Sequence, residues 1–365
     1  MKFILINPDY MVYGDPPLGL AYLASYLRKK CDFIEVKIFD QMKDNEILAR
    51  LGEEKPQLIG LTAVSQNYYR VKELAKTIKK LLPESILIIG GVHLTTCPQS
   101  FKNSPFDIAV RGEGEIPALK LVTVLHNDKK INIKHLSRIP GLMLRDKKKI
   151  IDTGLAEQIS NLNDLPFPAR NLLNMKYYKL PRFSSGIEPR GSISTSRGCP
   201  YSCKFCSSSA FWGRKIRFFS AKRVVDEISL LYEKYGYRFI MIYDDLFSIN
   251  KNRLREIVDL LDKKKLLGRI FFAAYGRANY FDEETALLLK KMGVVSVAFG
   301  FETGSERMLN YLKGGTVKVG DNINAVKISK KNNLRASGFF MIGSPTETIE
   351  DIEETYKFIK KILLE

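Results

Sequence analysis

The chain has 365 residues, 45% of them hydrophobic and 27% charged, which suits about two soluble domains and excludes a disordered, collagen-like or disulfide-stapled polypeptide. No apolar run approaches the roughly 18 residues that span a bilayer, and Met1-Lys2-Phe3-Ile4-Leu5-Ile6-Asn7 turns polar too soon for a secretory signal, so a cytoplasmic protein is expected. The formal charge of +18 is spread evenly over both halves, as on a lysine-rich surface with runs such as Lys147-Lys148-Lys149 and Lys263-Lys264-Lys265; it predicts no nucleic-acid-binding tail.

Residues 1–126 alternate short apolar segments with amphipathic ones. Strands are predicted at Phe3–Asn7, Ile34–Phe39, Leu58–Thr62, Ile86–Ile89 and Ile108–Val110, and helices at Leu18–Lys30, Tyr69–Leu82 and Ile116–His126. Near-continuous apolar strands separated by helices imply a parallel sheet covered on both faces. This half is therefore expected to be α/β, a doubly wound, Rossmann-like domain.

The pattern breaks at about residue 127. Gly141–Leu144 and Ile150–Asp152 predict a hairpin, and Asn163-Asp164-Leu165-Pro166-Phe167-Pro168 reads as an extended linker because each residue before a proline is pushed out of the helical region. Residues 127–190 are thus set apart as a connector. From 191 to 365 the rhythm resumes, with strands predicted at Ser192–Ser196, Phe239–Tyr243, Ile270–Tyr275, Val294–Phe301 and Ala336–Ile342. Helices follow at Val224–Tyr235, Lys251–Lys264, Glu283–Lys291, Asn322–Lys331 and Ile349–Leu364. Five β/α units in sequence suggest a partial TIM-type (β/α) barrel, with its chemistry at the C-terminal strand ends.

Three of the five cysteines fall within eight residues, in Ser196-Arg197-Gly198-Cys199-Pro200-Tyr201-Ser202-Cys203-Lys204-Phe205-Cys206. The spacing is Cys-x3-Cys-x2-Cys, directly after the first strand of the second half. Three thiolates on one loop can hold three irons of a cubane and leave the fourth open to a small molecule. Zinc normally takes four ligands. No fourth cysteine lies near, and His93, His126 and His135 all belong to the first half.

This motif, with Phe205 before its last cysteine, resembles that of the radical S-adenosylmethionine (SAM) superfamily. The resemblance implies a 4Fe-4S cluster on Cys199, Cys203 and Cys206 whose open iron binds the amino and carboxylate groups of SAM. One electron then cleaves SAM to a 5′-deoxyadenosyl radical that attacks unactivated carbon. It also implies SAM contacts at other strand ends: Tyr243 and Asp245 near the amino group, Glu302 near the ribose or carboxylate, and Gly343 and Pro345 near the adenine. The plainer alternatives are a turn cap for Asp245, an ion pair with Arg277 for Glu302, and a βα turn for Gly343 and Pro345.

The first half and connector resemble the cobalamin-binding domain that precedes the radical SAM core in one large subfamily. The matching segments are Asp15-Pro16-Pro17-Leu18-Gly19-Leu20, Gly90-Gly91-Val92-His93, Arg111-Gly112-Glu113-Gly114-Glu115 and the Asp164–Pro168 linker. The resemblance implies that Gly90, Gly91 and His93 border bound cobalamin; the alternative for the glycines is a tight turn. Many such domains carry Asp-x-His-x-x-Gly after the second strand, where the histidine ligates cobalt. Here the stretch is Asp40-Gln41-Met42-Lys43-Asp44-Asn45, so cobalamin is expected to bind without a histidine on cobalt. Cys31 reads as a small buried residue, and Cys97 as a neighbour of the corrin pocket.

The expected function is radical SAM catalysis on a small-molecule or lipid substrate, with methylation through cobalamin as one outcome and a flavodoxin or ferredoxin as electron donor. The competing readings are a tRNA methylthiotransferase-like enzyme and a non-catalytic iron–sulfur electron-transfer module. The first usually brings three more cysteines, where this first half has only Cys31 and Cys97. The second normally ligates its cluster with four. Radical SAM cores resemble partial barrels of about six β/α units. The fifth strand is therefore expected to be an open edge lacking its last neighbour, either because the chain is a truncated or split form or because another subunit supplies that edge.

Overall fold

The structure, a computed structural model, describes residues 1–8, 15–40, 42–129, 131–147, 149–179 and 190–364; Gln41 and Lys148 lie outside them. Contacts divide the chain into two units, Met1–Tyr177 with Ala210–Trp212, and Tyr178–Ser209 with Gly213–Glu365.

The first unit runs β1 (Lys2–Ile6), α1 (Leu18–Lys30), β2 (Glu35–Phe39), α2 (Asp44–Glu54), β3 (Leu58–Thr62), α3 (Tyr68–Leu81), β4 (Ile86–Gly90), α4 (Val92–Thr96), β5 (Ile108–Val110), α5 (Glu115–Asp128), α6 (Ile133–Leu136), β6 (Leu142–Asp146) and β7 (Lys149–Asp152). Its sheet has the order β2-β1-β3-β4-β5-β6-β7. The first five strands are parallel. The order reverses between β1 and β3, and ligands of open α/β sheets bind at such switch points, outside the carboxyl ends of the strands. Phe3, Ile4, Leu5 and Ile6 of β1 are all buried, as a strand covered on both faces requires. In α3, Val71, Leu74, Ala75 and Ile78 form the buried stripe.

Besides the short helices α4 and α6, which no sequence pattern announces, the hairpin and α2 differ from the sequence expectation. The hairpin assigned to the connector is the antiparallel far edge of this sheet. Beyond it the chain returns, with Ala156 N–H bonded to Arg111 O and Ala169 N–H to Ala21 O, both at 2.9 Å. The first compact unit therefore reaches Tyr177 instead of ending near residue 126. Helix α2 was not anticipated, because only Ile47 and Leu51 bury on it, too few apolar positions for a legible period.

After Tyr177 the chain runs β8 (Arg190–Ile193), β9 (Ser196–Arg197), α7 (Ser208–Trp212, its last three residues counted with the first unit), β10 (Arg217–Phe218), α8 (Ala221–Glu233), β11 (Phe239–Ile242), α9 (Lys251–Lys263), β12 (Phe271–Gly276), α10 (Glu283–Met292), β13 (Val294–Glu302), α11 (Glu306–Lys313), α12 (Val319–Lys331), β14 (Arg335–Phe340) and α13 (Ile349–Leu364), all but that part of α7 in the second unit. Its main sheet is parallel in the order β14-β13-β12-β11-β8. Each strand lies beside its chain neighbour, so the winding never reverses, as in a barrel. Among the described residues β14 is an edge. Side-chain caps start α8, α9, α10 and α11, from Ser220, Asn250, Asp282 and Ser305. Helix α13 is pinned to the end of β13, where Thr303 Oγ1 meets Thr355 Oγ1 at 2.9 Å and Ser305 Oγ donates to Asp351 at 2.5 Å. Among the described residues no helix is long and apolar enough to cross a membrane.

Candidate functional site

The cysteine loop is fixed at both ends before any ligand is considered. Asp244, at the end of β11, accepts the backbone N–H of Thr195 (2.5 Å), its hydroxyl (2.5 Å) and the Ser196 hydroxyl (2.6 Å). Arg253 of α9 donates to Thr195 O at 2.7 Å. Gly198 then takes φ +98, a left-handed backbone that glycine adopts without strain. Further on, Lys204 N–H bonds Leu312 O at 2.9 Å.

Cys199, Cys203 and Cys206 open onto one cavity of about 410 Å³, shared with Tyr243, Asp245, Tyr275, Arg277, Glu302, Lys313 and Phe339. The sequence-predicted Tyr243, Asp245 and Glu302 are therefore brought together with the cysteines. Gly343 and Pro345 do not line it. Gly343 has φ +86 and donates its N–H to Glu347 at 2.5 Å, and Pro345 is exposed, in the turn between β14 and α13.

The acidic groups are held differently. Asp245 accepts the Ser208 hydroxyl at 2.5 Å, and burial pushes its carboxyl up. Glu302 sits at φ +65, where the β13–β14 register shifts, a bulge that re-aims its side chain. A Cβ on Gly300 would collide with that carboxylate. Its partner is Lys313, at 3.2 Å, and not Arg277; both side chains are almost fully buried. Burial pushes the Glu302 carboxyl up and the Lys313 ammonium down, and their mutual attraction opposes both shifts. Lys313 escaped the sequence reading because α11, only eight residues long, is barely two turns, too short a window to read as a helix. Arg277, directly after β12, donates to Cys203 Sγ at 3.4 Å.

The donor set fits an iron–sulfur cubane. Three thiols face one cavity, and no histidine lies in the second unit. Among the described residues no three His, Cys, Asp or Glu side chains gather around a point as one ion requires, whereas a cubane spreads its ligands over three irons. Burial pushes the Cys199 and Cys206 thiols up, so metal binding there must displace protons.

In the first unit Gly91 has φ +100, and a Cβ would lie 2.7 Å from Ala63 O; the turn itself demands glycine. Gly90 ends β4, where a Cβ would make an ordinary contact 3.9 Å from the Val110 Cβ. His93 is buried, bonded through Nδ1 to Ser65 Oγ and through Nε2 to Ser100 Oγ, each at 3.0 Å, and stacked 4.0 Å from Tyr68. His126 stacks on Phe33, and His135 bonds Asp128. With both His93 nitrogens occupied, the donor set fits cobalamin held without a histidine on cobalt. Cys31 is buried, as expected, and Cys97 is partly exposed.

Comparison with known proteins agrees with both units. Residues 193–359 match the Radical SAM superfamily, and residues 12–122 match the B12 binding domain. An uncharacterized methyltransferase, PH0819, of Pyrococcus horikoshii is 36% identical over 99% of this chain and 78% of its own length. The anaerobic magnesium-protoporphyrin IX monomethyl ester cyclase of Cereibacter sphaeroides is 27% identical over 98% of this chain, which spans only 59% of that enzyme. The radical S-adenosylmethionine methyltransferase TsrM from Kitasatospora setae, solved with tryptophan and a SAM analogue, superposes with a TM-score of 0.81 at 22% identity, over 99% of this chain and 71% of its own.

Proposed function

The chain belongs to the radical SAM superfamily, in the group whose core follows a B12 binding domain, and from that premise we propose that it methylates an unactivated carbon of a small-molecule or lipid substrate. When bound, the cluster with SAM supplies a 5′-deoxyadenosyl radical, and cobalamin a transferable methyl group. The observation that carries the proposal is the shared cavity, where three thiols face Asp245 and the buried Glu302–Lys313 pair.

In this reading Cys199, Cys203 and Cys206 hold three irons. Asp245 and Tyr243 receive the SAM amino group. The Glu302–Lys313 pair offers an acceptor and a donor to its ribose and carboxylate, while Tyr275 and Phe339 shield the cavity from water. Gly90, Gly91 and the His93 segment border cobalamin. A low-potential donor of the flavodoxin or ferredoxin type supplies the electron, and the edge that β14 presents among the described residues accepts a further strand or subunit. Methyl transfer is preferred to cyclisation because the 36% identical relative is named a methyltransferase.

The test is anaerobic reconstitution with assays of iron, sulfide and cobalamin, followed by methyl-labelled SAM and reductant. Formation of 5′-deoxyadenosine, with label reaching cobalamin and an acceptor, supports the reading. A cluster that neither binds nor cleaves SAM supports the electron-transfer alternative.

A further inference from the structure

The Arg277 side chain is 8% exposed and makes no ion pair among the described residues. Its guanidinium is held on three sides: Nε donates to Asn279 Oδ1 at 3.1 Å, Nη2 donates to Thr316 Oγ1 at 2.5 Å, and the plane lies 3.7 Å from the Tyr201 ring centroid. The backbone is equally fixed, because a Cβ on Gly276 would lie 2.8 Å from Val297. What remains is Nη1, aimed at Cys203 Sγ. Glu302, already paired with Lys313, acts on it only through space, and a buried cation short of counter-charge is costly. So rigid a placement is explained if negative charge belongs beside it.

We propose that Arg277 is a positioning residue that donates a charge-assisted hydrogen bond to the Cys203 sulfur of the bound cluster and thereby sets its reduction potential. The inference rests on the assignment of Cys203 as an iron ligand. A cluster that accepts one electron gains one negative charge, and a fixed N–H donor carrying positive charge favours that reduced form. Thr316, whose own hydroxyl donates to Lys313 O at 2.8 Å, keeps the guanidinium turned toward the sulfur.

The experiment is an EPR-monitored redox titration of the reconstituted full chain, without SAM, using dithionite as the one-electron reductant. Arg277→Gln should keep its iron and sulfide yet shift the midpoint to more negative potential. At the potential that half-reduces the unaltered protein, its reduced-to-oxidised ratio should fall about tenfold, the order expected of one charge-assisted hydrogen bond. Arg277→Lys should fall between the two. Thr316→Val, which keeps the arginine but releases it, should shift in the same direction by less, and it decides the matter if Arg277→Gln loses its cluster. Full cluster with unchanged potential in these variants overturns the proposal, including the case where only SAM affinity drops, which would assign Arg277 to the SAM carboxylate. If the unaltered chain forms no 4Fe-4S cluster, the underlying reading fails instead.

Discussion

Asp244 is bonded to Thr195 twice, accepting both its backbone N–H and its hydroxyl at 2.5 Å. The carboxylate thereby joins the end of β11 to the segment that opens the cysteine loop. Because Asp244 is 1% exposed, its removal leaves buried donors without an acceptor. Asp244→Ala should cost about 2–4 kcal/mol of the second unit's stability, and Asp244→Asn about 1 kcal/mol, as an amide oxygen still accepts the N–H. Burial pushes this carboxyl up despite Arg253 and the hydroxyls, so the native state holds the proton better than the unfolded chain does. Its contribution is then present below the ordinary carboxylate range near pH 4 and lost as pH rises through the raised value. Thermal melts should show the advantage of Asp over Asn shrinking as pH rises above the ordinary carboxylate range; an advantage that grows would reverse the assignment.

Replacement of Cys199, Cys203 or Cys206 by Ala should remove most of the iron while the first unit stays folded, since its apolar core contains none of the three. Iron assay with far-UV circular dichroism checks this. A single variant that keeps a normal cluster and cleaves SAM contradicts the ligand assignment.

The buried Glu302–Lys313 pair should behave asymmetrically. Lys313→Met strands a buried carboxylate and should cost about 3–5 kcal/mol, whereas adding Glu302→Gln should recover most of that loss. SAM affinity, measured by equilibrium binding, should remain low in the double variant. Recovery of affinity together with stability would place SAM elsewhere.

His93 should matter for folding more than for cobalt. His93→Ala removes the bonds to the exposed Ser65 and the half-buried Ser100 hydroxyls and leaves a space beside Tyr68, at about 1–3 kcal/mol. Burial pulls the imidazole down, so its contribution is present above the unperturbed value near pH 6.5 and lost as pH falls through the lower native value. Urea titrations should show the unaltered protein losing stability between pH 7 and pH 5 by an increment that His93→Gln lacks. EPR of reduced cobalamin in the bound protein should show no histidine nitrogen on cobalt in either form.

Gly91→Ala must place a Cβ at φ +100, against Ala63 O. A loss of about 2 kcal/mol or more in the first unit is expected from strain and collision, read as a lower urea midpoint. A neutral substitution there would show that the β4 turn can relax.

Some of this was legible in the residues alone. The strand positions were, because alternation with helices and unbroken apolar runs such as Phe3–Ile6 are local patterns. The cysteine triplet was also legible, because all its donors lie on one loop. What the sequence left open depends on pairing between distant segments. A doubly wound first half and a partial barrel in the second are expected from the β/α rhythm, but the strand order that realises each, reversing in one unit and monotonic in the other, is set by such pairing. The hairpin at 142–152 reads as a connector until β5 is seen to pair with it. His93 is expected only to border the corrin, and that both its nitrogens are taken is seen only when Ser65 and Ser100 close on it. Arg277 and Cys203 are 74 residues apart, and no periodicity encodes their contact. Local spacing fixes which donors share a loop or a face. Which charges then meet in the buried site is decided by tertiary packing, because a buried charge must find its partner wherever the fold places one.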